Sequence, residues 1–299
     1  MDIDLISRQP PEPPRPAAGF EVQMAGLDAL EFGETSAASR AQRLWSVTWP
    51  KLAALVIALA IWQGVVWSHW KPSYVLPPPG PVFRQLWDQA GTVLFWRAIG
   101  TTMRRALVGF ALAAVLGLLI GGAVARSRVL RSAVGSLITG LQTMPSVVWF
   151  PLAILLFKLS ESAITFVVVI GAAPSIANGF VGGIDHVPPL LLRSGRMLGA
   201  KSVSLWRHVI VPAALPSIVA GLKQGWAFAW RSLMAGELLV IIAHRPSVGE
   251  RLNDAENLND VVGLLVWMLV ILILGIAVDA LFGAADRSLR ARWGLIGRE

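Results

Sequence analysis

The chain has 299 residues, of which 55% are hydrophobic and only 15% are charged, and its mean hydropathy is +0.62. A soluble globular protein needs more polar surface than this, so the composition indicates an integral membrane protein. The absence of cysteine excludes disulfides, thiolate metal sites and a cysteine nucleophile. The net charge of +8 favours loops held on the cytoplasmic side of a membrane over a nucleic-acid partner. The four histidines are scattered without ligand spacing, so no metal site is predicted.

The amino-terminal segment differs from the rest of the chain. Residues 10–16 are rich in proline, acids outnumber bases before Arg40, and no apolar run occurs. We therefore predict a disordered, proline-rich cytoplasmic tail over residues 1–45. A six-helix transmembrane domain is predicted over residues 46–290, followed by a short cytoplasmic tail over residues 291–299.

Six apolar segments approach or exceed the roughly 20 residues that a helix needs to cross a bilayer. They are residues 52–68, 106–125, 132–157, 162–184, 217–243 and 261–278. Pro145 and Pro151 lie within the third segment and are expected to bend or break its helix. The sequence thus predicts an all-α membrane protein with six transmembrane helices.

The distribution of Lys and Arg predicts the orientation. If the amino terminus is inside, these residues are concentrated in the segments that are then cytoplasmic. This places both termini and residues 193–216 in the cytoplasm. Arg104 and Arg105 precede the second apolar segment, and we expect both side chains to reach the lipid headgroups.

Residues 193–216 form a basic segment between two apolar runs. Residues 190–198 and 203–211 can each form a short helix, Gly199 permits the turn between them, and Pro212 is expected to end the second helix. The apolar face of the second helix would consist of Val203, Trp206 and Ile210. The pattern fits either a rigid element that passes movement from a partner into the membrane or an ordinary helical hairpin on the membrane surface.

The spacing in this segment resembles the cytoplasmic coupling loop of ABC-importer permeases. In that family the loop reads EAA, three residues, Gly, nine residues, Ile, one residue and Leu-Pro. Here Gly199 is followed at the same spacing by Val209, Val211 and Pro212, while residues 193–195 read Arg-Ser-Gly in place of EAA. The segments 76–87, 142–162 and 211–230 are similar to permeases that import alkanesulfonates, taurine and nitrate. The resemblance covers roughly residues 50 to 290.

This resemblance implies the type I ABC-importer permease fold with a cytoplasmic coupling helix, in a loop spanning about residues 190–216. It implies a multi-pass protein of the cell membrane that works as a pair, commonly two copies of one chain. The partners would be two ATP-binding cassette subunits and an extracytoplasmic substrate-binding protein. ATP and Mg would be bound by the cassette subunits, because this chain has no P-loop motif, and the chain is not itself expected to be an enzyme. The residues expected to couple to the ATPase are Arg193, Arg196, Gly199, Ala200, Lys201, Ser204, Arg207 and Pro212.

Arg231 lies about half-way along the fifth apolar segment. An arginine at this depth costs about 3 kcal/mol on insertion scales, so it usually faces an acid or a wet cavity. It can line the translocation pathway and offer a bidentate donor to an anionic substrate such as a sulfonate. Alternatively, it can form a salt bridge with Glu237, either in the same chain or across a dimer. For Glu237 we expect a structural or gating role. The candidate pathway residues are Arg231, Gln224, Trp230, Glu237, Met144 and Pro145.

The sequence therefore predicts the membrane subunit of an ATP-driven importer for a small anionic solute, with aliphatic sulfonate, taurine or nitrate placed first. A vitamin precursor or another small organic solute is the alternative substrate. An ion-coupled secondary transporter would favour inverted repeats and several intramembrane acids, which we do not find. A membrane-embedded enzyme would need clustered His, Asp or Glu, and the sequence contains no such cluster.

Overall fold

The computed structural model describes residues 40–243 and 245–292, and every regular element in this part of the chain is helical. This confirms the predicted all-α class. The helices are α1 (Arg40–Trp67), α2 (Pro79–Ala90), α3 (Val93–Arg126), α4 (Arg128–Thr143), α5 (Phe150–Phe157), α6 (Glu161–Asp185), α7 (Pro189–Met197), α8 (Ser202–Leu205), α9 (Val211–Leu239), α10 (Val248–Asn257) and α11 (Val261–Arg292). A 3-10 turn (Ser146–Trp149) precedes α5, and a π-helical turn (Trp206–Ile210) joins α8 to α9.

The chain divides after Trp62 into two units, residues 1–62 and 63–299. The first unit contains most of α1, and α1 carries Pro50 within its length. The predicted tail over residues 1–45 lies largely outside the described residues, but its final part, from Arg40, belongs to α1. The predicted carboxy-terminal tail lies outside the described residues from position 293 onward.

Five stretches of the described chain are long and apolar enough to cross a membrane. They are Thr48–Trp67, Val93–Arg126, Glu161–Asp185, Ser202–Leu239 and Val261–Ser288. The pair Val129–Thr143 and Ser146–Phe157 passes the same test together but is bent by 101°. The described chain therefore has five spans, or six if the bent pair crosses as one.

The bend has its cause at Pro145. Met144 is extended, with φ −74° and ψ 128°, because the residue before a proline is disfavoured in the helical region. Pro151 does not bend a helix, and the expectation that it would is wrong. It occupies the first turn of α5, where the N–H that proline lacks would have no partner in any case.

In the second unit, α6 is the central helix and packs against α3 on one side and α9 on the other. Buried apolar side chains from all three helices, including Ala113, Val168, Ile176 and Leu233, form the main core. Phe150 of α5 completes this core. Because α6 is apolar around its whole circumference, it can be buried from both sides, and the three helices run as a packed bundle.

A smaller core lies beside α10. Val248 packs there against Phe95, Trp267 and Val270. A capping box starts α10: the Ser247 hydroxyl accepts from the Glu250 N–H, and the Glu250 carboxylate accepts from the Ser247 N–H. The start of α10 is thereby fixed against α3 and α11.

Candidate functional site

The basic segment, which we define as residues 189–216, differs from its prediction in the second half. Its first helix, α7, has nearly the expected bounds, and Gly199 has a φ of +84°, which favours glycine. Pro212 does not end a helix. It lies in the first turn of α9, where proline is tolerated, and α9 then continues to Leu239. The segment is therefore joined to the fifth apolar stretch by a nearly continuous helical path.

The buried face of the basic segment is also shifted from the predicted one. Val203 is 68% exposed, so its assignment to the apolar face is wrong, whereas Ile210 is buried as predicted. Leu205, which was not assigned to this face, is buried as well. Ser202 has a positive φ of 35°, and the following turn is π-helical, with hydrogen bonds from i to i+5. This turn changes the helical phase, so Leu205 and Ile210, five positions apart, both belong to one buried apolar cluster that also contains Val187 and Ile218.

The outer face of the basic segment is cationic. The exposed positions predicted to meet an ATPase are Arg193, Arg196, Gly199, Lys201, Ser204 and Arg207, whereas Ala200 and Pro212 are half-buried. The sequence contains no acid between Asp185 and Glu237. Within the described part of the chain, Asp185 forms a salt bridge with Arg131. No salt bridge in that part of the chain involves the four cationic side chains of this face, Arg193, Arg196, Lys201 and Arg207. The surface is suited to an acidic partner.

The carboxy-terminal end of α3 reaches the same region. Arg126 shares a cavity of about 520 Å³ with Arg196, Lys201 and the half-buried Trp206. The last turn of α3 and the start of α9 therefore lie at one end of the bundle, which we call the basic end.

A buried ion cluster lies at the opposite end of the bundle and consists of Thr102, Arg105, Glu161 and Glu237. Glu237 is fully buried. It accepts a hydrogen bond from Arg105 Nη1 at 3.0 Å and from Thr102 Oγ1 at 2.8 Å. Arg105 also donates from Nε and Nη2 to the two carboxylate oxygens of Glu161, at 2.8 and 2.9 Å. One guanidinium thus links α3, α6 and α9.

The ion cluster also holds α10. The Gly249 N–H donates to Glu237 at 3.0 Å, and the Val248 N–H donates to the Thr102 hydroxyl oxygen at 2.9 Å. These two N–H groups belong to the first turn of α10, where a helix has no internal acceptors for them. Glu237 therefore satisfies a buried guanidinium and a helix start together, which supports the structural role expected for it.

Two sequence expectations fail at this cluster. Arg105 does not reach the headgroups, because α3 begins at Val93 and Arg105 lies buried in the body of that helix. Arg231 does not pair with Glu237 within the chain. These two residues are about 120° apart around α9 at 3.6 residues per turn. The Arg231 side chain is exposed instead, with its guanidinium 5.4 Å from the Phe228 ring.

The other predicted pathway residues lie apart from the ion cluster. Gln224 is exposed on α9, and Met144 and Pro145 are exposed at the bend after α4. Trp230 is half-buried and stacks on Trp226 with ring centroids 6.2 Å apart, as expected for packing. The assignment of these positions to a pathway stays a prediction.

Sequence reasoning missed Thr102, Arg105 and Glu161. A signal for the first two was present, because Ala98, Thr102, Arg105 and Gly109 repeat at spacings of four, three and four, and all are buried. That spacing marks one face of a helix extending well before residue 106. No comparable pattern identifies Glu161.

Comparison with known proteins agrees with this architecture. Residues 113–291 match the family described as binding-protein-dependent transport system inner membrane component. A probable ABC transporter permease of Brucella melitensis is 32% identical over 215 residues, covering 71% of this chain and 85% of that protein. The riboflavin transport system permease RibX of Chloroflexus aurantiacus is 29% identical over 263 residues, covering 87% and 96%.

Relatives named for nitrate, taurine and aliphatic sulfonates are also found. The nitrate import permease NrtB of Synechococcus elongatus is 29% identical over 210 residues, covering 64% of this chain and 71% of that protein. Others, from Escherichia coli K12, are named for the transport of taurine and of aliphatic sulfonates.

Among solved structures, the inward-facing MetNI methionine ABC transporter matches with a TM-score of 0.57 at 19% identity, covering 66% of this chain and 96% of that one. A likeness at this identity supports the fold alone. The family match extends over more than half of the chain, and the Brucella relative exceeds 30% identity. The chain therefore belongs to the binding-protein-dependent transport system inner membrane components, the permease subunits of ABC importers.

Proposed function

We propose that this permease imports a small anionic solute, with an aliphatic sulfonate as the first choice, driven by ATP that separate cassette subunits hydrolyse. The observation that carries the choice of an anion is Arg231. It is exposed on a long apolar helix, and no salt bridge to it occurs within the described part of the chain.

An arginine in this position needs an anion or water. Arg231 lies within the stretch Ser202–Leu239, which is long and apolar enough to cross a membrane, and it is about 12 Å before the end of that stretch at about 1.5 Å per residue. A guanidinium there is costly unless it faces a wet cavity or a partner charge. It offers two parallel donors to a sulfonate, nitrate or carboxylate group, and the Phe228 ring orients it by a cation–π contact.

A neutral vitamin-like solute is the second candidate. The relative named for riboflavin matches over a larger share of this chain, 87%, than the relative named for nitrate, 64%. In that case Arg231 would pair with an acid of a second copy, and the substrate would contact neutral side chains such as the exposed Gln224.

The assembly we propose contains two copies of this chain, two ATP-binding cassette subunits that bind ATP and Mg, and an extracytoplasmic binding protein. The protein lies in the cell membrane with both termini in the cytoplasm, so that the basic segment meets the cassette subunits. Closure of the cassettes on ATP displaces the basic segment. Because the stretch Ser202–Leu239 is one nearly unbroken helical path, this displacement passes along α9 towards Arg231 and the ion cluster.

The test is ATP hydrolysis by the complete complex, co-expressed with its neighbouring gene products and reconstituted with its binding protein. We expect taurine or methanesulfonate to stimulate hydrolysis and riboflavin not to do so. Arg231→Ala should remove most of the sulfonate stimulation, while Arg84→Ala, at an exposed arginine of α2, should leave it unchanged.

Three results would change the proposal. Stimulation by riboflavin alone would favour the second candidate. Full sulfonate stimulation in Arg231→Ala would remove the proposed role of this arginine. If no ATPase copurifies with the chain, the assembly we propose is wrong.

A further inference from the structure

We infer that a second anion-binding site lies at the end of the bundle opposite the basic end, in a pocket lined by Arg97, Arg104 and Arg245. The pocket has a volume of about 440 Å³ and is completed by Gly100, Thr101 and Pro246. Its occupant is a small oxyanion with the chemistry of a sulfonate or phosphate group. We call it the arginine pocket, and its role in receiving solute rests on the proposed function.

Two elements build the arginine pocket. Arg97, Thr101 and Arg104 are four and three residues apart, so they project from one face of α3. Arg245 comes from the loop that follows α9, and it is fixed by a hydrogen bond from its Nη1 to Glu161 at 3.2 Å. The volume suits a small ligand, and guanidinium groups from two directions suit the several oxygens of an oxyanion.

The charges around the pocket do not cancel. Its lining contains three arginines and no acid. The nearest carboxylate, Glu161, already accepts two hydrogen bonds from Arg105. Its single negative charge therefore cannot also neutralise both Arg245, at 3.2 Å, and Arg104, at 4.0 Å. Arg97 is in no salt bridge within residues 40–243 and 245–292. A concave surface with one sign of charge concentrates anions.

The pocket lies where an arriving solute would meet the permease. Arg104 and Arg126 are about 33 Å apart along α3, which is close to the roughly 30 Å of the hydrocarbon core. Arg126 lies at the basic end. If the basic end faces the ATPase, the arginine pocket opens on the other side of the membrane, where the binding protein delivers its solute.

Because the chain has no cysteine, a single introduced thiol can report on the pocket. A Cβ at Gly100 would meet no atom within 4 Å, and the same is true at Gly80 on α2, which is the matched control. The complete complex carrying Gly100→Cys or Gly80→Cys, reconstituted in phosphatidylcholine vesicles, is treated with thiosulfonate reagents bearing either an ethanesulfonate or a trimethylammonium group. Labelling of this chain is followed by mass.

We expect the ratio of anionic to cationic labelling rates to be about tenfold higher at position 100 than at position 80, because the pocket concentrates anions. Methanesulfonate should slow the anionic reagent at position 100 severalfold. The additional changes Arg97→Gln and Arg104→Gln should remove both effects.

Equal rate ratios at the two positions, or no protection by methanesulfonate, would overturn the inference. Protection by phosphatidylglycerol in the vesicles, without protection by methanesulfonate, would assign the pocket to a lipid phosphate and overturn it as a solute site. Protection by the solute-free binding protein alone would assign it to carboxylates of that partner, with the same consequence.

ATP hydrolysis measured on the same preparation separates the two proposals. Sulfonate-stimulated hydrolysis without protection at position 100 would leave the proposed function intact and remove the arginine pocket. Protection without stimulation by any oxyanion would retain the pocket and remove the proposed function.

Discussion

The ion cluster and the basic segment, at opposite ends of the long helices, treat charge in opposite ways. At the end formed by the ion cluster, Arg105 lies between Glu161 and Glu237, and its donors are used inside the chain. At the basic end, Arg193 and Arg207 are exposed, and no acid occurs in the sequence between Asp185 and Glu237. The helix α9 connects the two ends.

The difference follows from the cost of moving charge out of water. A buried guanidinium needs carboxylates in fixed positions, because removing an ion from water without a partner costs on the order of several kcal/mol. An exposed cation needs no partner in its own chain, so it can serve another subunit. We conclude that the ion cluster is an internal anchor for α10 and that the basic segment is an interface, and variants in each region test one side of this contrast.

The largest effect is expected for Glu237→Ala. The substitution leaves the Arg105 guanidinium, the Thr102 hydroxyl and the Gly249 N–H without their buried acceptor. Removing one partner of a buried ion pair costs about 3–5 kcal/mol. We expect a large fall in the apparent unfolding temperature of the detergent-purified chain, followed by tryptophan fluorescence, and a loss of monodisperse protein.

Glu256→Gln is the control for Glu237→Ala, because Glu256 is exposed on the same side of the bundle in α10. Its effect should stay within about 0.5 kcal/mol. An unchanged unfolding temperature in Glu237→Ala would show that the ion cluster is not the anchor we describe.

The spans were predictable from sequence because several uncharged runs of this length in one chain are rare outside membrane-crossing helices. The ion cluster was not predictable to the same degree. Arg105 bonds to acids that are 56 and 132 positions away, and such pairing depends on how α3, α6 and α9 pack. The adjacent Arg104 and Arg105 also interrupt the apolar run, although Ala98 and Thr102 continue the buried face beyond them.

The basic segment shows a similar limit. Gly199 and the bend at Pro145 were predictable, because each follows from the backbone preferences of one or two residues. The exposure of Val203 was not, because the π-helical turn at Trp206–Ile210 alters which side chains share a face. A turn of this kind has no clear residue signature, so its effect on phase appears only in the structure.

An intermediate effect is expected for Gly249→Ala at the anchored end. A methyl group there would overlap the Cβ and backbone of Glu237, so α10 would have to move away from α9. Overpacking of this kind costs about 1–3 kcal/mol. We expect a lower unfolding temperature and faster hydrogen exchange of the first amides of α10.

The matched variant is Gly80→Ala, where the added Cβ meets nothing within 4 Å. It should leave stability unchanged or raise it slightly, because alanine favours the helix. Equal unfolding temperatures for the two variants would mean that α10 is not held closely against Glu237.

At the basic end, Gly199→Ala is expected to affect coupling more than folding. The site has open space for a methyl group, but its φ of +84° costs an L-residue about 1–2 kcal/mol. The strain can be relieved by moving the exposed turn. We therefore expect a small change in unfolding temperature and a clear loss of ATP hydrolysis stimulated by the loaded binding protein.

Gly199→Asn should recover part of this stimulation, because asparagine tolerates the left-handed region. Gly182→Ala, in α6, is the control at a helical glycine with open space. If Gly199→Ala retained full stimulation, the position of this turn would have no part in coupling.

The smallest effect is expected for Glu250→Gln in the capping box of α10. Burial raises the pKa of the Glu250 carboxyl above its ordinary value near 4.5, and the neighbouring Asp254 raises it further, while the Ser247 N–H opposes both. The folded state thus favours the protonated form. This contribution is complete below the ordinary pKa and is lost as the pH rises through the raised value.

Glutamine is neutral at every pH and can still accept the Ser247 N–H. We therefore expect Glu250→Gln to be more stable than the wild type at pH 7, by no more than about 0.5 kcal/mol, and the difference to vanish near pH 4. Thermal unfolding at the two pH values, with Glu256→Gln as the exposed control, measures this. A wild type more stable than the variant at pH 7 would mean that the attraction between a carboxylate and the start of α10 outweighs its desolvation. The anchored end would then tolerate a further charge beyond the three that pair in the ion cluster.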